Sequence, residues 1–129
     1  MRLLLDTHVA LWAITDDRKL PTPARSLIAD SNNTVAVSAV SVWEIAIKHA
    51  LKPASMPVSG SAALQYFTES GFLLLAVSPQ HAASVEQLPL LHADPFDRML
   101  VAQALTEPLR LVTADEKVAR YSDSIIFVD

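Results

Sequence analysis

Four carboxylates in this chain stand where charge is costly. Asp6 closes the apolar run Leu3-Leu4-Leu5, and Asp115 follows Leu111-Val112-Thr113-Ala114. Glu44 lies four residues after Val40 and three before Ile47, inside the stripe Val40, Trp43, Ile47, Leu51 that helical spacing turns toward a core. Asp97 opens a second stripe, with Leu100, Val101, Ala104 and Leu105 following on one helical face. A buried carboxylate is unfavourable unless something neutralises or pairs it, so each of the four needs a partner.

Local explanations exist for each. Asp6 and Asp115 can cap the helices that follow them, and Lys48 stands one turn beyond Glu44 as an i,i+4 ion-pair partner. Asp94-Pro95 starts a helix in which Asp94 caps and Asp97 is a first-turn acid favoured by the helix dipole. Taken together, four carboxylates without a Cys/His ligand set point to a hard divalent cation, Mg²⁺ or Mn²⁺. Such a site handles phosphate, because the cation polarises phosphoryl oxygens and makes water a usable nucleophile. His8, His49, His81 and His92 show no H-E-x-x-H spacing and are read as surface, loop or supporting residues. Lys48 and Arg98 adjoin Glu44 and Asp97; they either meet phosphate or balance the neighbouring acids.

Other chemistries are excluded by composition. The chain has no cysteine, hence no disulfide, thiolate nucleophile or cysteine-bound metal. Its two glycines, Gly60 and Gly71, cannot build a P-loop, a dinucleotide turn or a nucleophile elbow. The net charge of −4 leaves any nucleic-acid contact to a local patch. The opening residues offer only Leu3 to Leu5 as an apolar run, too short for a signal-peptide core. No run approaches the roughly 20 apolar residues of a membrane helix, so a cytoplasmic protein is expected.

The elements that must position the acids alternate in type. Strands are predicted over Arg2–Leu5, Thr34–Val37, Phe72–Val77, Arg110–Val112 and Ile125–Val128, two-sided in their hydrophobicity and so covered on both faces. Helices are predicted over Val9–Ile14, Pro23–Ser31 (capped by Thr22), Ala39–Leu51, Ser61–Ser70, Gln80–Leu88 and Pro95–Thr106, with a turn over Glu116–Tyr121. At 129 residues this is one domain, 1–129, of three-layer α/β type, with a mostly parallel sheet of about five strands between helices. In such sheets ligands collect at the carboxyl ends of the strands. Trp43 is expected in the core. Trp12, on a short helix carrying more apolar surface than one stripe can bury, is expected to meet a partner.

Four segments then become recognisable: Leu3 to Ala13 with its Asp6-Thr7-His8; Ser38 to Lys48 with Trp43-Glu44-Ile45; His92 to Ala104 with Asp94-Pro95-Phe96-Asp97-Arg98; and Leu111 to Asp115. In this order and at this length the chain resembles the PIN-domain ribonucleases of the VapC toxin type. The resemblance places Asp6, Glu44, Asp97 and Asp115 on an acidic metal site, with Thr7, Ser38 and Thr113 as hydroxyls around it. It implies cleavage of RNA with Mg²⁺ or Mn²⁺, a homodimer, and neutralisation by a cognate antitoxin that also binds operator DNA. His8 departs from the asparagine of many members, but a sub-group with Asp-Thr-His and Trp-Glu-Ile is similar to this chain. Two other readings compete. A non-catalytic PIN-like module that binds RNA or a partner would have lost one or more carboxylates. A phosphoacceptor receiver domain needs paired acids after the first strand and an isolated Asp after the third, where this chain has Ser78-Pro79.

Overall fold

The structure, a computed structural model, describes all residues 1–129. Five strands form one sheet: β1 (Arg2–Leu5), β2 (Thr34–Ser38), β3 (Leu73–Leu75), β4 (Arg110–Thr113) and β5 (Ile126–Phe127). Their order is β3-β2-β1-β4-β5 and every pairing is parallel, so the sheet is wholly rather than mostly parallel. The order also separates the fold from the receiver type, whose strands run 2-1-3-4-5. Strand succession reverses between β1 and β4. This is the topological switch point, where crossovers leave in opposite directions and open a crevice above the strand ends.

Strand alternation divides the core into two layers. Leu3, Leu5, Val35, Val37 and Val112 face one side, against Val9 of α1 (Thr7–Ile14), Ala24 of α2 (Thr22–Ala29), and Ala63 and Phe67 of α4 (Gly60–Glu69). Leu4, Ala36 and Leu111 face the other, against Leu100, Val101 and Ala104 of α6 (Pro95–Thr106) and Val118 of α7 (Glu116–Ala119). The helix α3 (Ala39–Leu51) crosses the end of the sheet, giving Val40 to one layer and Ile45 to the other. Its N-terminus is set by Ser38, whose hydroxyl accepts from the Val40 N–H at 3.0 Å.

Several expectations need correction. The expected Gln80–Leu88 helix is instead α5 (Pro79–Ser84) followed by a 3₁₀ turn over Val85–Gln87. Thr22 does not cap α2; the helix begins with it, behind Pro21. The third strand is a three-residue edge with Leu73 and Leu74 exposed, because it pairs only with β2 and helices do not cover both its faces. On α3 the buried face runs through Val40, Ser41, Glu44 and Ile45, leaving Trp43 60% and Leu51 80% exposed. Trp12 is half-buried: it packs against the first core layer and keeps part of its surface open, so its expected role in meeting a partner is not contradicted. No helix is long and apolar enough to cross a membrane.

The α3–α4 crossing is close because Gly60 has no side chain. A Cβ built there would lie 2.7 Å from the Ala46 Cβ, below any tolerated contact. Gly60→Ala is therefore expected to force the helices apart and lower stability by about 1–3 kcal/mol. Urea denaturation checks this; an unchanged midpoint would mean that the crossing relaxes freely.

Candidate metal centre

The switch point is built around Asp6. This residue ends β1, where Leu3, Leu4 and Leu5 are solvent-free, and is itself only 6% exposed. Both of its oxygens are bonded. Oδ1 accepts from the Val9 N–H at 2.9 Å and so caps α1, which is why that helix starts at Thr7 rather than Val9. Oδ2 accepts from Thr113 Oγ1 at 2.5 Å. The capping and site readings of Asp6 are thus compatible. Thr113, at the end of β4, accepts in turn from the Asp115 N–H at 3.1 Å, which ties the Asp115 backbone to Asp6.

Glu44 reaches the same end of the sheet from α3 and is 3% exposed. Its Oε1 accepts from Thr7 Oγ1 at 2.7 Å and its Oε2 from Lys48 Nζ at 2.5 Å. Thr7 Oγ1 also lies 2.9 Å from Ser41 Oγ. The single hydroxyl proton of Thr7 goes to Glu44, so Ser41 donates to Thr7. Ser41 is fully buried and belongs to this chain of bonds, although its sequence neighbourhood carries no signal beyond helical spacing to Glu44 and Ile45.

Asp97 enters from the first turn of α6. Its backbone N–H donates to Asp94 Oδ1 at 3.0 Å, which confirms Asp94 as the cap, and its Oδ2 accepts from His92 Nε2 at 2.8 Å. Asp115 caps α7 through Oδ1, which accepts from the Lys117 N–H at 2.8 Å, and turns Oδ2 toward His92 Nε2 at 3.7 Å. Donor atoms of His92, Asp97 and Asp115 all lie within 4.8 Å of one another. His92 occupies the supporting position that the sequence allowed, hydrogen-bonded to Asp97, and its Nε2 also lies among the carboxylate oxygens. Its partners come from α6 and the end of β4, at spacings that no local motif records.

The electrostatics follow from crowding. Burial pushes the Asp6 carboxyl above its ordinary value; its bonds to Thr113 and Val9 and the nearby His8 pull back, and Glu44 pushes the same way as burial. Asp97 is pushed up to about 6, first by burial; His92 opposes this, and Asp94, Asp6 and Glu44 add to it. The charges of Asp6 and Glu44 are therefore felt at Asp97. Lys48 answers Glu44 directly. Arg98 does not stand free for phosphate: its terminal nitrogens bond the carbonyls of Val85, Leu88 and Pro89 and the Tyr121 hydroxyl.

The donor set suits a hard cation. Asp97 Oδ1 carries no hydrogen bond and Asp115 Oδ2 has only the distant His92, so both oxygens are available, beside a neighbour whose charge needs neutralising. Asp6 and Asp115 share the walls of a cleft of about 580 Å³ with His8, Trp12, Glu116 and Phe127. A second, apolar cleft of about 620 Å³ begins at the start of α6, lined by Val40, Trp43, Val85, Phe96 and Met99. There Trp43 meets Phe96 edge to face, with ring centroids 5.2 Å apart.

A carboxyl with a raised native pKa binds its proton more tightly when folded. That contribution is complete below the ordinary value of 3.8 and is lost as pH rises through about 6. In chelator, Asp97→Asn is expected to be more stable than the parent at pH 7.5, with the gap narrowing toward pH 5. Thermal denaturation at the two pH values checks this, and a pH-independent gap would contradict it.

Comparison with known proteins agrees with this geometry. The PIN domain family matches residues 3–124. Ribonuclease VapC22 of Mycobacterium tuberculosis is 30% identical over 117 residues, covering 90% of this chain and 88% of that protein. Among solved structures, VapBC2 from Rickettsia felis bound to a DNA fragment from its promoter superposes with a TM-score of 0.69 at 19% identity, covering 98% and 97% of the two chains. DNA-bound VapBC from Salmonella typhimurium gives 0.68 at 16% identity, covering 100% and 98%. The last two likenesses concern the fold. With the family match spanning nearly the whole length and the carboxylates gathered at the switch point, the chain belongs to the PIN-domain family.

Proposed function

We propose that this chain is a divalent-metal-dependent endoribonuclease acting as the toxin of a toxin–antitoxin pair. The observation that carries the chemistry is the gathering of Asp6, Asp97 and Asp115 at the ends of β1, α6 and β4, where two donor oxygens remain free. Asp97 and Asp115 hold the ion, Mg²⁺ or Mn²⁺, with Asp6 beside them. When bound, the ion neutralises the carboxylates, polarises a phosphodiester oxygen and makes water a stronger nucleophile at neutral pH.

The remaining residues position these groups. Thr113 fixes Asp6 relative to Asp115, and Thr7 holds Glu44 while Ser41 holds Thr7. Ser38 acts one step further out by starting α3. Lys48 pairs with Glu44 beside the site and, being 42% exposed, presents its ammonium at the rim, where an RNA phosphate passes. Arg98 holds the loop before α6 instead.

The antitoxin belongs to this reading because the relatives include ribonuclease VapC22 and the similar structures are VapBC complexes. Its landing surface is the apolar cleft under Trp43 and Phe96, rather than the neighbourhood of Trp12. An exposed indole beside a half-formed apolar cleft is the usual mark of a protein contact.

Cleavage of RNA by the purified chain is expected with Mg²⁺ or Mn²⁺ and to stop in EDTA. Asp97→Asn is expected to lower the rate by roughly 100-fold or more, since the lost stabilisation is of the order of several kcal/mol. Undiminished turnover in chelator, or by the metal-loaded variant, would overturn the mechanism.

A further inference from the structure

The centre contains a nitrogen that a purely carboxylate site does not account for. His92 lies in the connection between the 3₁₀ turn and α6, and its backbone is held on both sides. The His92 N–H donates to the Tyr121 hydroxyl at 3.1 Å, and that hydroxyl donates to the His92 carbonyl at 3.4 Å. Arg98 Nη1 donates to the same hydroxyl at 3.0 Å and to the Pro89 carbonyl at 2.9 Å. Tyr121 thus gives one proton and accepts two, using its whole capacity. The segment carrying His92 is stapled to α6 at one end and to the residues after α7 at the other.

This bracing delivers the ring to one place. Nε2 stands 2.8 Å from Asp97 Oδ2 and 3.7 Å from Asp115 Oδ2. Donors in adjacent positions around an ion, each about 2.1 Å from it, lie about 3.0 Å apart, and opposite donors about 4.2 Å apart. The separations found here fall in or near that range without any movement of the backbone.

The geometry points to His92 as a nitrogen ligand of the divalent ion that, on the reading above, Asp97 and Asp115 hold. When the ion binds, Nε2 gives up the proton it donates to Asp97 Oδ2 and the ring takes the Nδ1–H tautomer, which leaves the Nε2 lone pair for the ion. An imidazole changes what the centre prefers. Mg²⁺ favours oxygen donors and keeps several waters, whereas imidazole favours transition-metal ions. The chain therefore discriminates against Mg²⁺ more strongly than carboxylates alone would, and Arg98 and Tyr121 serve as positioning residues for that nitrogen.

The test uses the full chain loaded with Mn²⁺ and pulsed electron paramagnetic resonance. Directly coupled ¹⁴N modulation is expected, replaced by the ¹⁵N pattern in protein labelled at histidine and absent in His92→Asn. Calorimetry of the same variant is expected to show Mn²⁺ affinity reduced roughly 10- to 100-fold, with a much smaller loss for Mg²⁺. Mn²⁺ bound without nitrogen coupling, or equal losses for the two ions, would make His92 a hydrogen-bond donor that orients Asp97 and overturn the inference. Failure to bind Mn²⁺ at all would overturn the metal centre itself, so the two failures are separable. The labelled parent protein gives its answer even if the variant folds poorly.

Discussion

Asp6 sits at the end of a strand whose three preceding residues have no solvent contact, and the neighbouring elements are arranged around its carboxylate. One oxygen starts α1; the other receives the hydroxyl of Thr113, which also holds the Asp115 N–H. Thr7, the next residue, is the donor to Glu44 on α3. One buried carboxylate therefore sets the start of a helix, the end of the adjacent strand and, through its neighbour, the docking of a third element. The parallel order places β1 and β4 side by side where successive crossovers diverge, so the bonds radiating from Asp6 face an open crevice rather than a packed layer.

The same arrangement leaves an excess of negative charge. Lys48 compensates Glu44, and His92 hydrogen-bonds Asp97, but Asp97 still feels Asp6, Glu44 and Asp94. Without an ion the protein relieves this by holding a proton at Asp97 into the weakly acidic range. With an ion, the crowding that destabilises the fold becomes affinity. Sites of this kind trade stability for function, and neutralising Asp97 is expected to strengthen the fold while weakening the chemistry.

Much of this frame is legible in the residues. The bounds of β1, α3 and α6 coincide with the apolar runs and caps that suggest them, and Asp94-Pro95 starts its helix as its types require. What fails is direction. Helical spacing gives the angle between Val40, Trp43 and Glu44 but not which neighbours the helix meets. The buried face includes the polar Ser41 and Glu44, so a stripe chosen for hydrophobicity swings Trp43 inward when it faces out. His92 and Arg98 escape for a related reason. Their partners depend on the 3₁₀ turn replacing the end of a helix and on Tyr121 lying beyond α7, contacts 23 to 29 residues distant for Tyr121. Spacing rules written for residues on one helix do not reach such placements.

On the proposed reading Asp97 both carries a raised carboxyl and holds the ion, so ion binding in the weakly acidic range must displace its proton. Titration calorimetry of Mg²⁺ or Mn²⁺ into the chain, repeated in buffers of different ionisation enthalpy, measures that exchange directly. Saturable binding with a substantial fraction of a proton released at pH 6, fading by pH 7.5 as Asp97 ionises beforehand, is the result this account predicts. Binding at pH 6 that releases no protons, or no saturable binding at either pH, would contradict it.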